Sequence, residues 1–420
     1  MSARDRIERA LTRLVTASTT ERFAISLAAL LASILVGTVL ILGAGRITGC
    51  TTARFVLTHP TPFGLPRLFE MGFCYNPVTV YDRLFLGALG DPLSPGWDPF
   101  GRQMALTLRE TTVLLFTGLG VAVAFRAGIF NIGAQGQLVV GSLASTLAVL
   151  QVAPLVGGIP GTVVSLTVGL AVGALAGGLY AVIPGLLKAY ADANEVITTI
   201  MLNFIATGVV GYLVLNHVKD PDSFATQTRT IPEHANFPTI LFEPTANFSV
   251  LALALGVVLV GVIYYLLAHT AFGYDVRTSG LQPEAAEYGG VDAKRTVVAS
   301  FGLSGALAGI GGALYALMIL GKFQTGVPSY GFDGITVSIL AGNNPLGVGF
   351  AAFLFGILKS GAGVVNFATD VPPQLVDTLR GLIILFVAMP EFFRLLGGRM
   401  KGVQRRLGRD DDENGGETNA

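Results

Sequence analysis

From Ala127 to Leu187 the chain runs for 61 residues without a single Asp, Glu, Lys, Arg or His. About 20 apolar residues of helix cross a bilayer core, so this run holds more than one crossing. Its apolar residues are continuous rather than alternating, and a helix satisfies its own backbone where lipid cannot. Composition agrees: the 420 residues are 52% hydrophobic and 13% charged, with mean hydropathy +0.64, whereas soluble domains carry about a quarter charged residues. The expected fold class is all-α, a polytopic transmembrane helical bundle.

Apolar runs of spanning length fall at 23–44, 105–125, 135–153, 161–187, 196–216, 246–268, 296–320, 333–343 with its continuation, 347–366 and 378–396. They read as about ten spans, free of charge away from their margins, some interrupted. An even number places both termini on one side. The segments assigned inside hold fifteen Lys and Arg, against four in the short outer loops (Lys219, Arg229, Lys322 and Arg380). This bias makes both ends cytoplasmic. The expected organisation is a basic cytoplasmic N-terminus (1–22), a first span (23–44), an extracytoplasmic loop (45–104), a main transmembrane domain (105–396) with a cytoplasmic loop at 269–295, and a cytoplasmic disordered tail (397–420). "ITGC" at 47–50 resembles a lipoprotein cleavage site. The preceding apolar run has spanning length and Arg46 follows it, so a retained span is expected. "PVTVYDRLFLGAL" in the long loop reads equally as a helix lying on the membrane surface or as a plain loop helix. The two cysteines, Cys50 and Cys74, share that loop. An extracytoplasmic loop allows a disulfide between them, and two separate thiols are the open alternative.

The formal net charge of zero hides the segregated basic flanks, and nothing in the pattern points to nucleic acid. No GxxxxGK[ST] motif occurs, so nucleotide is not held through a P-loop. Neither HExxH nor clustered Cys and His is present, and the four histidines (His59, His217, His234, His269) are scattered. No catalytic residue, metal site or cofactor is assigned, and the chain is not read as an enzyme. Gly169, Gly173 and Gly177, like Gly305 and Gly309, recur at four-residue spacing and favour close helix packing. "GIGGAL" at 309–314 belongs to that packing rather than to a dinucleotide site.

Interior polarity is mainly amide and hydroxyl: Asn131, Gln135, Gln137, Thr198, Thr199, Asn203, Thr336, Ser338, Asn343 and Asn344. Such groups suit a neutral, polyhydroxylated solute, and they suit hydrogen bonds between helices equally well. In "NEVITTIMLN" (194–203), Glu195, Thr199 and Asn203 recur at four-residue spacing and form a polar stripe, with Asn194 as cap. "GFDGITVSILAGNNPLGVG" (331–349) admits Asp333, then breaks at Asn343-Asn344-Pro345. "AGIFNIGAQGQ" (127–137) has the same broken character in the other half, and two interrupted segments point to a transport path. The candidate pathway residues are therefore Asn131, Gln135, Gln137, Glu195, Thr199, Asn203, Asp333, Asn343 and Asn344.

The 269–295 loop contains "QPEAAEYGGVDAKR", a short helix opened by Pro283 and broken at Gly289-Gly290. Glu284, Ala285, Ala286 and Gly290 resemble the EAA-x3-G element of ABC importer permeases, which implies a coupling helix that docks into the ATP-binding subunit. "FRAGIFNIGAQGQ", "NEVITTIMLNF" and "GFDGITVSILAGNNPLGVGFAAFLFGILKSG" agree in order over roughly 105–395. Together they resemble permeases of the simple-sugar and nucleoside ABC importers, of the branched-chain-amino-acid and ribose type. Within these the resemblance is to the branch served by a basic-membrane-protein-type binding lipoprotein. Gln135 stands where many relatives carry the glutamate of "NIGAEGQ". The resemblance implies a permease subunit in the cell membrane importing a simple sugar such as glucose, or a nucleoside. It also implies a second permease subunit, a separate ABC ATP-binding subunit carrying the ATPase, and an extracytoplasmic solute-binding lipoprotein. The alternative is an ion-coupled secondary carrier or channel for a small neutral solute.

Overall fold

The computed structural model describes residues 19–48, 50, 53–58 and 70–387. Most of the expected basic N-terminus, the tail 397–420 and the second half of the run 378–396 lie outside these residues. The chain divides into two compact units, one made of Met1–Val80 with Thr369–Ala420, the other of Tyr81–Ala368.

In the first unit, helix α1 (Thr19–Ile47) precedes a two-stranded antiparallel sheet. Its strands β1 (Phe55–Thr58) and β2 (Glu70–Phe73) pair Phe55 with Phe73 and Thr58 with Glu70. Cys50 and Cys74 are joined as a disulfide. Cys74 also donates its backbone N–H to the Gly45 carbonyl, fixing β2 to the last turns of α1. Helix α2 (Pro77–Phe85) carries the chain into the second unit.

The second unit contains α3 (Arg102–Arg126), α4 (Ala134–Val152), α5 (Gly158–Ala191), α6 (Glu195–Leu213), α7 (Val250–His269), α8 (Ala271–Leu281), α9 (Pro283–Tyr288), α10 (Ala293–Leu314), α11 (Tyr330–Leu340) and α12 (Pro345–Ala368). Residues 373–387, in the first unit, form α13. Local chemistry sets the helix starts. The Asn194 side chain accepts from the Val196 and Ile197 N–H groups at 3.0 and 3.1 Å, and Asp292 accepts from Arg295 N–H at 3.0 Å, each relieving an orphan donor of a first turn.

Eight helices of the described chain are long and apolar enough to cross a membrane: Ala28–Ile47, α3, Ala134–Leu155, α5, Glu195–Val218, α7, Ala293–Leu320 and α12. The expected span at 333–343 is α11, which has 11 residues, or roughly 16 Å of helix, about half the hydrocarbon thickness. The expectation of charge-free spans is corrected at one place: Lys359 lies well inside α12.

Helices α3 and α10 are buried along most of their length, whereas α5, α6 and α7 present large apolar side chains outward, among them Leu179, Phe204 and Val258. This is the arrangement of a bundle whose outer helices face lipid. The two glycine ladders meet. A Cβ added at Gly309 of α10 would lie 2.1 Å from the Gly173 carbonyl of α5, and one at Gly177 would lie 2.5 Å from the Gly305 carbonyl. Nearly one turn further along α10, a Cβ at Gly312 would lie 2.1 Å from the Leu138 carbonyl of α4. The three backbones are therefore in direct contact, as small residues permit.

Candidate functional site

The site is built around a stretch of chain that is not helical. Between α3 and α4, residues 127–133 have no continuous helical ladder. Their level in the bundle follows from two contacts. A Cβ at Gly120 of α3 would lie 2.6 Å from the Ser304 carbonyl, and the Ser304 hydroxyl accepts from Asn131 Nδ2 at 2.9 Å. Asn131 is thus level with Gly120, six residues before the end of α3, or about 9 Å back along its axis. The chain leaves α3, turns at Gly128 (φ +71°) and re-enters the bundle, so α4 starts inside it.

Irregular backbone at that depth requires internal hydrogen-bond partners, and the amides supply them. Asn131 and Gln137 bond each other reciprocally, at 3.0 and 3.1 Å, and Asn131 Oδ1 also accepts from Gly133 N–H at 3.0 Å. From α6, Asn203 Oδ1 accepts from Gly136 N–H at 2.7 Å while its Nδ2 donates to the Ile132 carbonyl at 3.0 Å. All three residues are buried. Thr199 is buried as well, its hydroxyl turned back to the Glu195 carbonyl at 2.6 Å. Glu195 leaves the polar stripe and pairs with Lys188 at 3.2 Å.

Gln135 ties this stretch to the second break. Its Nε2 donates to the Pro328 carbonyl at 3.0 Å and its Oε1 accepts from Gly331 N–H at 2.8 Å. A Cβ at Gly331 would lie 2.3 Å from the Gln135 nitrogen, so the starts of α4 and α11 cross backbone to backbone. At the far end of α11, Gly342 and Asn343 take positive φ of 61° and 57°. Arg126 Nε donates to the Asn343 carbonyl at 2.8 Å, and Asn343 Oδ1 accepts from Ser338 at 3.0 Å. Asn344 Oδ1 accepts from Leu346 N–H at 3.1 Å and starts α12.

The structure surrounds the candidate Asp333 with charged residues that were not among the candidates. Lys359 Nζ lies 2.8 Å from Asp333 Oδ2 and 3.8 Å from the centroid of the Tyr330 ring. The Tyr330 hydroxyl donates to Glu110 Oε2 at 2.7 Å. Arg109 pairs with Glu110 at 3.1 Å and donates to the Ala246 carbonyl at 3.1 Å. The one sequence signal for this network is a lysine in an otherwise apolar run, together with adjacent opposite charges in the first turns of α3. Two cavities, of about 220 and 240 Å³, lie elsewhere: the first beside Arg54, Tyr75 and Asp370, the second beside Asp91, Trp97 and Arg102.

The expected coupling element is a separate feature. Helix α9 starts at Pro283 and stops before Gly289, and Gly290 takes φ +84°. Glu284 and Ala285 are exposed while Ala286 is buried. Leu281, the last residue of α8, and Tyr288, the last of α9, are 86% and 96% exposed, a pair of apolar knobs flanking the short helix.

Comparison with known proteins gives a consistent result. The family described as branched-chain amino acid transport system / permease component matches residues 103–388. The nucleoside ABC transporter permease protein NupB of Lactococcus lactis is 33% identical over 81% of this chain and 92% of its own length. The guanosine ABC transporter permease protein NupP of Bacillus subtilis is 36% identical, over 78% and 90%. The glucose ABC transporter permease protein TsgB13 of Haloferax volcanii is 30% identical, over 76% and 82%.

Proposed function

Since the chain belongs to the family of branched-chain amino acid transport system permease components, and is thus a multi-pass cell-membrane subunit of an ABC importer, we propose that the solute it passes is a nucleoside. The observation that carries this solute class is the likeness to NupB and NupP over nine-tenths or more of their lengths. The chemistry of the interior supports a neutral solute. Lys359 is matched by Asp333 and Arg109 by Glu110, so these four charges cancel and leave amide and hydroxyl groups as the remaining polarity. Asn131, Gln135, Gln137, Asn203, Asn343 and Asn344 serve the pathway by holding its irregular backbone in shape, and Thr199 packs beside Gly133. Glu195 and Asp333 contribute through their ion pairs.

In this reading ATP is hydrolysed on a separate subunit, and α9 is the handle that subunit grips, with Leu281 and Tyr288 as its anchors and Glu284 and Gly290 shaping the turn. A second permease chain completes the membrane part, an extracytoplasmic lipoprotein delivers the solute, and both termini face the cytoplasm. Uptake of labelled nucleosides and of labelled glucose, in cells with and without this chain, tests the solute. Loss of nucleoside uptake alone is the expected result, and loss of glucose uptake alone replaces nucleoside by sugar. Co-purification with the cognate ATP-binding subunit tests the coupling element. Glu284→Arg with Gly290→Trp is expected to abolish it, and an undiminished complex removes α9 from that role.

A further inference from the structure

A lysine in the middle of a membrane span costs free energy unless it is paired or reaches water. Lys359 has two partners, and both stand on the first turn of α11: the Asp333 carboxylate at 2.8 Å and the Tyr330 ring at 3.8 Å. The Tyr330 hydroxyl in turn donates to Glu110 of α3 at 2.7 Å, and Glu110 is itself held by Arg109. An unbroken line of charge and dipole thus runs from α12 through α11 to α3 and, through Arg109, to the Ala246 carbonyl. Ring contacts extend it to Tyr315, at 5.6 Å from Tyr330.

The element at its centre is the half-length helix. Irregular chain bounds α11 on both sides, with positive φ at Gly326 and again at Gly342 and Asn343. A short rigid piece between two such joints moves as a unit when one end is released. Its Asn343 end is held by its own carbonyl, which accepts from Arg126 Nε, and its Tyr330 end by the ionic line and by Gln135. The tie through Lys359 is the ionic one, and a partly buried ion pair that loses one partner strands the charge of the other.

We propose that Lys359 is a positioning residue for the transport cycle, latching the first turn of α11 to α3 and α12 in the state seen here. The latch opens when the pathway changes the side it faces. The inference rests on the importer reading. Removing the latch shifts the population away from the state seen here, and with it the rate at which the partner subunits hydrolyse ATP.

The test uses the full chain purified with its cognate ATP-binding subunits in lipid nanodiscs. Lys359→Met combined with Asp333→Asn removes both charges and strands neither. Basal ATP hydrolysis in this variant is expected to change at least about fivefold, with a thermal midpoint within about 4 °C of the unmodified complex and with solute uptake reduced. Lys359→Arg, which keeps the pair, is expected to retain the basal rate of the unmodified complex. Unchanged hydrolysis in the neutral pair overturns the proposal, and so does a change that only accompanies a large fall in thermal midpoint. Nucleoside import by the unmodified complex is the control on the importer reading. If it fails, the solute assignment falls, while the hydrolysis comparison, which needs no solute, still decides the role of Lys359.

Discussion

Asn131 is the residue on which the re-entering stretch depends. Its amide serves Gln137, Ser304 and the Gly133 N–H at once, so Asn131→Ala leaves several buried polar groups without partners. Each orphaned group costs about 1–3 kcal/mol, and a thermal midpoint lowered by several degrees is the expected result. Adding Gln137→Ala to Asn131→Ala should cost less than the sum of the two single changes, because they share two hydrogen bonds; a double-variant cycle that came out additive would contradict the geometry. Gln135→Glu exchanges the donor that faces the Val327 and Pro328 carbonyls for a second acceptor while keeping the oxygen that receives Gly331 N–H. A loss of about 1–3 kcal/mol is expected, measured by unfolding in detergent. The sequence placed these amides in the apolar run but left open whether they meet solute or protein. The deciding partners, Asn203 and Ser304, stand on helices far along the chain: the polar stripe named Asn203 without saying what it faces, and no local pattern names Ser304. Lys359 escaped for another reason: averaging over a window dilutes one charge among many leucines, glycines and phenylalanines.

At the level of helices, the contact among α4, α5 and α10 is a backbone contact and tolerates no side chain. Gly309→Leu sets a branched group where even a Cβ lies 2.1 Å from the Gly173 carbonyl. Overpacking costs about 1–3 kcal/mol where a core can yield and more where backbone is the obstacle. Loss of folded protein from the membrane fraction is expected, with Gly309→Ala already impaired. A glycine outside the seam, such as Gly208, whose added Cβ meets nothing within 4 Å, should accept alanine with little change. Elements were the most legible scale. Hydropathy marked the long spans because lipid imposes length and apolarity on each of them, and the stops at Gly289-Gly290 and at Gly342-Asn343 were visible because positive φ selects few residue types. What stayed hidden was depth. The stretch beginning at Ala127 reads as a break before the span at 135–153, and nothing in its composition says that its first seven residues climb back into the bundle before any helix starts.

For the molecule as a whole, the disulfide provides a marker of sidedness. The chain has two cysteines and both are spent in the bond between Cys50 and Cys74. Intact cells should therefore take up no thiol reagent at this chain, whereas Cys74→Ser frees Cys50 and should allow labelling by a membrane-impermeant maleimide added outside. Labelling only after the cells are broken would place the sheet of β1 and β2 on the cytoplasmic face and invert the proposed topology. The re-entering stretch, finally, bears on how the protein is made. Gly136 waits for Asn203, 67 residues later in the chain, and Asn131 waits for Ser304, 173 residues later. At translation rates of about 5–20 residues per second, the α3–α4 junction sits in the bilayer for on the order of 10 s or more with its polar backbone unfinished. A nascent chain cut off before α10 is then a substrate for membrane quality control, and the seam closes only near the end of synthesis.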